Sequence, residues 1–309
     1  MHSQATLSDN QAITARVRVP LRIDFAGGWS DAPDFLQHEQ GAVVNAAIDR
    51  YVEGHARWGH DGLRLEYTLD VPPDVHLGSS ASIDVAWLRL TYGLIGRQVA
   101  PVELAEQAYE VEKLLGVAGG KQDQYAAALG GFHLLRFLGH DGPVEVEPLT
   151  VSDETSRRLE EQCVLCLTGD RSSSGGLHEQ VWSRYRAGDE TIRKALERIR
   201  DSALDTRDAL LRGDLGTLAT MLTLNREAAR QLHPQLITPH MDQLFTVAEE
   251  AGALGSKPCG AGGGGCVLIL CDEGRRAAVV DALQQRSGQI LSFAFAPPVN
   301  NPADQSTPP

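Results

Sequence analysis

The chain has 309 residues, 42% hydrophobic and 22% charged, an ordinary globular balance with room for two modest domains or one large one. Asp and Glu outnumber Lys and Arg by 41 to 28, giving a net charge of −13, which argues against nucleic acid or an anionic membrane as the main partner. An anionic small molecule stays admissible, because one local site can be positive on an acidic protein.

The opening residues are polar and lack an apolar core of signal-peptide length, and no apolar run approaches the roughly 18 residues of a membrane helix. Five cysteines, an odd count, read as reduced thiols of a cytoplasmic protein.

In chain order, residues 1–14 read as frayed. Residues 16–25 alternate as a strand ending in Ala-Gly-Gly, and 42–58 and 63–69 read as further strands of the same sheet. Helices are expected over 82–92, from Pro101 to a stop at Gly116, and over 122–129, stopped by Gly130-Gly131. Cys163 and Cys166 form a C-x-x-C inside an apolar strand, 163–167. Residues three apart on a strand face opposite sides, which argues against a shared metal or redox pair.

Residues 177–252 read as almost continuous helix with breaks near Gly213-Asp214 and His233-Pro234. A glycine-rich loop, a strand at 266–271, a helix at 275–286 and a strand at 290–296 follow. Strands and helices mix without regular alternation, so the expected class is α+β. The composition shift near 150–162 sets an expected boundary between domains 14–160 and 161–297, with 298–309 a disordered, proline-rich tail.

Four loops carry the chemistry. The segment Pro72-Pro-Asp-Val-His-Leu-Gly-Ser-Ser-Ala81 feeds a helix. A small-residue turn there leaves backbone N–H groups outward at the positive end of the helix dipole, a site for phosphate oxygens. Gly78 permits close approach and Ser79 and Ser80 add hydroxyls, although an ordinary serine N-cap has the same sequence signature. The run Gly260-Ala-Gly-Gly-Gly-Gly265 precedes a strand instead of following one, which excludes the dinucleotide fingerprint, and the P-loop pattern is absent. It is either a close-packed turn or a loop for ligand approach.

Gly119-Gly-Lys-Gln-Asp-Gln124 opens a helix, with Asp123 either a dipole partner or functional. Upstream, Glu112 lies near a helix C-terminus, where a carboxylate is unfavourable, a hint of a metal ion or cationic partner. Finally, Arg22-Ile-Asp-Phe-Ala-Gly-Gly-Trp-Ser-Asp31 is a strand running into a tight loop suited to hydroxyl recognition, or a turn in which Asp31 bonds its own backbone.

Taken in order, these segments resemble the motifs of the GHMP sugar-kinase superfamily over nearly the whole chain. Residues 22–31 look like the first motif, 72–81 like the second (Pro-x-x-x-Gly-Leu-Gly-Ser-Ser-Ala) and 260–265 like the third. Glu112 and Asp123, 11 positions apart, match the family's metal-binding glutamate and catalytic aspartate. Gly-Lys-Gln-Asp-Gln-Tyr with Gly130-Gly131-Phe132, and Thr168-Gly-Asp-Arg-Ser-Ser-Ser-Gly175, resemble the bacterial heptose 7-phosphate kinases, while Gly-Gly-Trp-Ser-Asp leans toward L-fucokinases.

The resemblance implies an N-terminal domain like domain 2 of ribosomal protein S5 and a ferredoxin-like C-terminal domain. It implies ATP and Mg²⁺ as cofactors and a small sugar or sugar phosphate as substrate, in a chain acting as monomer or homodimer. ATP phosphates would lie on Leu77, Gly78, Ser79, Ser80 and Ala81, with Gly262, Gly263 and Gly264 closing over the nucleotide. Mg²⁺ would be held by Ser80 and Glu112. Asp123 would act on the attacking hydroxyl with Arg22 beside it, Gly27, Gly28 and Asp31 would meet the sugar, and Arg171 a substrate phosphate. The implied reaction phosphorylates a sugar hydroxyl, the anomeric hydroxyl of a heptose 7-phosphate foremost. A free-sugar kinase or a non-catalytic sensor on the same fold are the alternatives. One departure stands out: His76 replaces the motif glycine, and would tune the loop, contact the nucleotide or impair transfer.

Overall fold

A computed structural model describes residues 12–116, 119–169 and 174–299, apart from the side chains of 174 and 175. The first half builds a five-stranded antiparallel sheet from β1 (Ile13–Ala26), β2 (Gly41–Gly59), β3 (Gly62–Leu69), β4 (Phe132–Phe137) and β5 (Val144–Pro148). The long β2 pairs with β1 from Val44 to Trp58. On its other side, its first part pairs with β4 and its last part with β3. Its sequence shows why. Gly41 to Ile48 is continuously buried and nearly all apolar, as a strand covered on both faces must be, whereas the part beyond Val52 alternates.

Helix α1 (Pro33–Leu36) is a single turn in the loop after β1. Helices α2 (Ser79–Leu94), α3 (Pro101–Leu114) and α4 (Gln122–Leu129) cover the sheet, with α2 packed on β1 and β2. After α5 (Asp153–Gln162) the chain enters β6 (Cys163–Leu167) and a helical run of α6 (Ser174–Arg186), α7 (Glu190–Arg212), α8 (Leu215–Leu232) and α9 (Pro239–Ala251). It closes with β7 (Ala253–Pro258), β8 (Cys266–Cys271), α10 (Arg276–Gln284) and β9 (Gln289–Leu291). The second sheet runs β7-β8-β6-β9, all antiparallel. In chain order this is strand 2, 3, 1, 4, the ferredoxin-like arrangement expected.

The helical run has a break beyond the two expected, at Ala187-Gly188-Asp189. Asp189 caps α7 by accepting from the N–H groups of Thr191 and Ile192. The expected strand 290–296 needs correction. Only Gln289–Leu291 joins the second sheet; residues 294–296 cross back and pair with β2 through Ala294 O, Ala296 N and an Ile48–Phe295 bridge. Packing explains the switch, because Phe295 stacks on Phe132 at 4.5 Å and near Phe25 in the first sheet's core. The expected loose tail is likewise held at its start: Val299 donates to Leu129 O and Pro298 bridges to Gly130. Residues 300–309 and the first 11 lie outside the described residues.

One hydrophobic cluster runs from the first sheet through Ala203, Leu210, Leu218 and Leu222 of α7 and α8 to Leu165, Leu268 and Leu270 of the second. The boundary near residue 160 therefore separates sheets, while the core is continuous across it. Cys163 packs in this cluster and Cys166 in another on the opposite face of β6, as strand geometry requires. All five cysteines are free and buried. Among the described residues no helix is long and apolar enough to cross a membrane.

Candidate active site

The segment 72–81 lies along β1, with the Arg22 N–H donating to Leu77 O at 3.0 Å. Helix α2 begins on Gly78, whose φ of +79° is the left-handed conformation glycine adopts freely, and no side chain caps it. The ordinary serine N-cap is thereby excluded. Ser82 Oγ turns away to Pro20 O, Ser80 Oγ donates to Glu112, and Ser79 Oγ is buried with no hydrogen-bond partner. A helix N-terminus with uncapped N–H groups is a ready anion site.

The group facing that turn is a carboxylate held by an arginine. Arg22, 3% exposed, donates Nε–H to Asp123 Oδ1 at 2.7 Å and Nη2–H to Oδ2 at 2.9 Å, while Nη1 reaches the His76 carbonyl at 2.8 Å. This is a two-point pair that fixes the plane of the carboxylate. Burial, the largest single influence, lowers the arginine's pKa, but the charge and hydrogen bonds of Asp123 together with the nearby Asp24 charge outweigh it, and the net shift is upward. A Cβ on Gly78 would stand 3.2 Å from Arg22 Cγ and 3.5 Å from Asp123 Cγ, so the turn rests on this pair.

Beside it, Glu112 accepts from Ser80 Oγ at 2.9 Å and from Gln124 Nε2 at 2.6 Å. Burial, reinforced by the charges of Asp123 and Asp84, pushes the Glu112 carboxyl up to about 7. Asp31 is also pushed up to about 7, mainly by burial, although the Gln122 N–H donates to it at 3.1 Å. Its carboxylate occupies the space a Cβ on Gly120 would fill, 1.9 Å from Oδ2, which explains the glycine.

These two acids carry a pH consequence. Between their ordinary values and about 7, the folded protein holds protons that the unfolded chain has released, so stability falls as pH rises through that window. Thermal melting of the ligand-free protein is expected to weaken from pH 5 to pH 8, and Glu112→Gln to flatten that decline. An equally steep decline in the variant would remove Glu112 as a cause.

His76 adopts φ +59°, so the histidine accepts the left-handed conformation the motif glycine would supply. Its ring lies against the third glycine loop: a Cβ on Gly265 would be 2.8 Å from His76 Cγ, and one on Gly260 3.0 Å from His76 O. Burial and the Arg22 charge lower its pKa. The Gly260–Gly265 turn joins β7 to β8 and takes positive φ at every glycine, with Gly263 N donating to Leu236 O. It is thus both close-packed and placed over the turn that opens α2.

Of the expected residues, the structure brings together Arg22, Leu77, Gly78, Ser79, Ser80, Ala81, Glu112 and Asp123, with Asp31 alongside. Gly27 backs against Ala42 O and Gly28 against Asp24 Oδ2, and Gly262 to Gly264 lie on the opposing loop. Arg171 lies outside the described residues.

Sequence reasoning missed several supports. Gln122 and Gln124 lie within a motif, yet their contacts to Asp31 and Glu112 follow only from the helix's orientation. Lys257 of β7 donates to Asp24 O at 2.6 Å and pairs with Asp24 Oδ2 at 3.1 Å, fully buried, tying the second sheet to β1. Asn225 of α8 accepts from Gly27 N at 3.3 Å, and His178 stacks on Trp29 at 4.4 Å. The last three have no motif signal, because each partner lies more than 100 positions away.

Known proteins match this arrangement. The model for the GHMP kinases N terminal domain matches residues 42–131, and that for the GHMP kinases C terminal domain matches 206–289. D-glycero-alpha-D-manno-heptose 7-phosphate kinase of Campylobacter jejuni is 26% identical over 91% of this chain and 96% of its own length. The crystal structure of a D-glycero-D-manno-heptose 1-phosphate kinase from Bacteroides thetaiotaomicron superposes with a TM-score of 0.74 at 26% identity, covering 92% of this chain and 97% of that one. The bifunctional fucokinase/GDP-fucose pyrophosphorylase of Arabidopsis thaliana is 23% identical over 90% of this chain and 31% of its length. The two family models together take in more than half of the chain, in order and on the sheets they should occupy. The chain belongs to the GHMP kinase family, enzymes that transfer a phosphoryl group from ATP to an alcohol oxygen.

Proposed function

We propose that this kinase phosphorylates the anomeric hydroxyl of a heptose 7-phosphate. The observation that carries the reading is the uncapped start of α2 lying directly on the Arg22–Asp123 pair. It sets a phosphate-binding turn against a carboxylate able to take a hydroxyl proton. The sugar assignment draws support from the heptose phosphate kinases among the relatives and from the resemblance of residues 120–132 to the heptose 7-phosphate kinases.

In this reading the backbone N–H groups from Leu77 to Ala81 bind ATP phosphates, and the Gly262–Gly264 backbone closes from the opposite side. Asp123 accepts the proton of the attacking hydroxyl, and Arg22 fixes its plane. Asp31 receives sugar hydroxyls at a wall kept thin by Gly27 and Gly28, and Arg171 meets the substrate's own phosphate.

Ser80 Oγ and Glu112 would hold Mg²⁺, which on binding neutralises phosphate charge. The fit rests on Glu112, a buried carboxyl that resists its own negative charge and would be relieved by a cation. Among the described residues no group of three or more His, Cys, Asp or Glu could hold a metal, so the remaining ligands would be phosphate oxygens and water. Five unpaired buried thiols support a reducing, cytoplasmic compartment.

The test is ADP release with Mg·ATP against heptose 7-phosphate, L-fucose, galactose and mevalonate. Turnover at least ~100-fold more efficient on the heptose phosphate is expected. Preference for a free sugar would overturn the substrate, and nucleotide binding without turnover on any would overturn catalysis. Within the site, Gly120→Ala forces the Asp31 carboxylate aside. It is expected to raise KM for the sugar at least ~10-fold while leaving KM for ATP unchanged. Equal effects on both substrates would remove Asp31 from sugar recognition.

A further inference from the structure

The free edge of the first sheet carries a surface the reaction does not use. Among the described residues β3 pairs with β2 alone, and its residues from Gly62 to Thr68 are all exposed. Leu63, Leu65 and Tyr67 point to the face that bears α2, where Tyr67 meets Trp87 at 6.2 Å. With Trp58 opposite Leu63, they form an apolar stripe whose members are 38–52% exposed. An exposed apolar edge strand invites strand addition, and natural proteins rarely leave one uncovered.

The occupant can be read from the strand's own pattern. His60 and Asp61 are a two-residue turn, so Gly59 and Gly62 form a hydrogen-bonded pair, and the backbone groups of Gly62, Arg64, Glu66 and Thr68 face β2. Those of Leu63, Leu65 and Tyr67 therefore face outward. An antiparallel pairing of β3 with its own copy, centred on Leu65, satisfies all three residues with about six backbone hydrogen bonds.

It also sets Leu65 against Leu65 and Leu63 against Tyr67 on the α2 face, and Arg64 against Glu66 twice on the other. Arg64 lies 3.1 Å from Asp61, an exposed contact that leaves its outer side open. The sequence of the edge is thus complementary to itself in apolar contacts, in hydrogen-bonding parity and in charge. That is the signature of a two-fold interface.

We propose that β3 is the dimerisation edge of this kinase and that the first sheets of two copies join into one continuous sheet across it. Sedimentation of the full chain tests this. The wild type is expected to dimerise in the low micromolar range. Arg64→Glu or Glu66→Arg alone places like charges opposite each other at two points and is expected to weaken dimerisation at least ~10-fold.

An equimolar mixture of the two variants restores opposite charges at both points and is expected to dimerise like the wild type. Circular dichroism and kinase activity of each variant serve as folding controls, since neither residue is near the site. A wild type that is monomeric at ~100 µM, single variants that dimerise normally, or a mixture that stays monomeric would each overturn the proposal.

Discussion

Asp123→Asn is expected to lower kcat by about 10²–10⁴-fold, the range a positioned general base supplies, while the dissociation constant for ATP stays within ~3-fold. The amide keeps the shape of the side chain but offers Arg22 one acceptor in place of the two contacts at 2.7 and 2.9 Å, and it takes no proton from an attacking hydroxyl. In the proposed reading nucleotide binding rests on the N–H groups of the α2 turn, which the change does not touch. A variant retaining more than a tenth of wild-type kcat would show that the hydroxyl needs no base at this position. A parallel loss of ATP affinity would show that Asp123 acts by shaping the turn.

The second large effect is expected at Arg22. Its replacement by Met removes the buried donor shared by the His76 carbonyl and the Asp123 carboxylate; because that carboxylate is 28% exposed, the cost is about 1–3 kcal/mol. Arg22→Lys keeps the charge but cannot reach Asp123 twice and His76 at once. Urea unfolding should therefore rank wild type above Lys and Lys above Met. Steady-state kinetics should show kcat falling at least ~10-fold already in the Lys variant. A Lys variant with normal kcat would reduce the arginine to a structural part.

Much of this arrangement is legible in the sequence for a physical reason: its chemistry is written in backbone-dependent signals. Gly78 marks a left-handed turn, Glu112 and Asp123 sit on helices that bring them to one place, and the glycines of 260–265 mark a hairpin with positive φ at each glycine. His76 shows the limit of such reading. The sequence flags it as a departure, but only the structure shows that it keeps the glycine's φ of +59° and packs its ring on the opposing loop.

What lies between distant segments left no signal. The Lys257–Asp24 pair joins two sheets across 233 positions, and the crossing of residues 294–296 to β2 depends on where Phe25 and Phe132 leave room. A single strand is expected over 290–296, and nothing local says that the strand ends at Leu291 and that Phe295 bridges to the other sheet.

The central claim is transfer from ATP to an anomeric oxygen, and ³¹P NMR of the enzyme with Mg·ATP and D-glycero-D-manno-heptose 7-phosphate tests it most directly. The account predicts a new sugar-phosphate resonance that couples to the anomeric proton and grows in step with ADP, while the 7-phosphate signal persists. A new phosphate coupled to any other ring proton, or ADP formed with no new sugar phosphate, would contradict it.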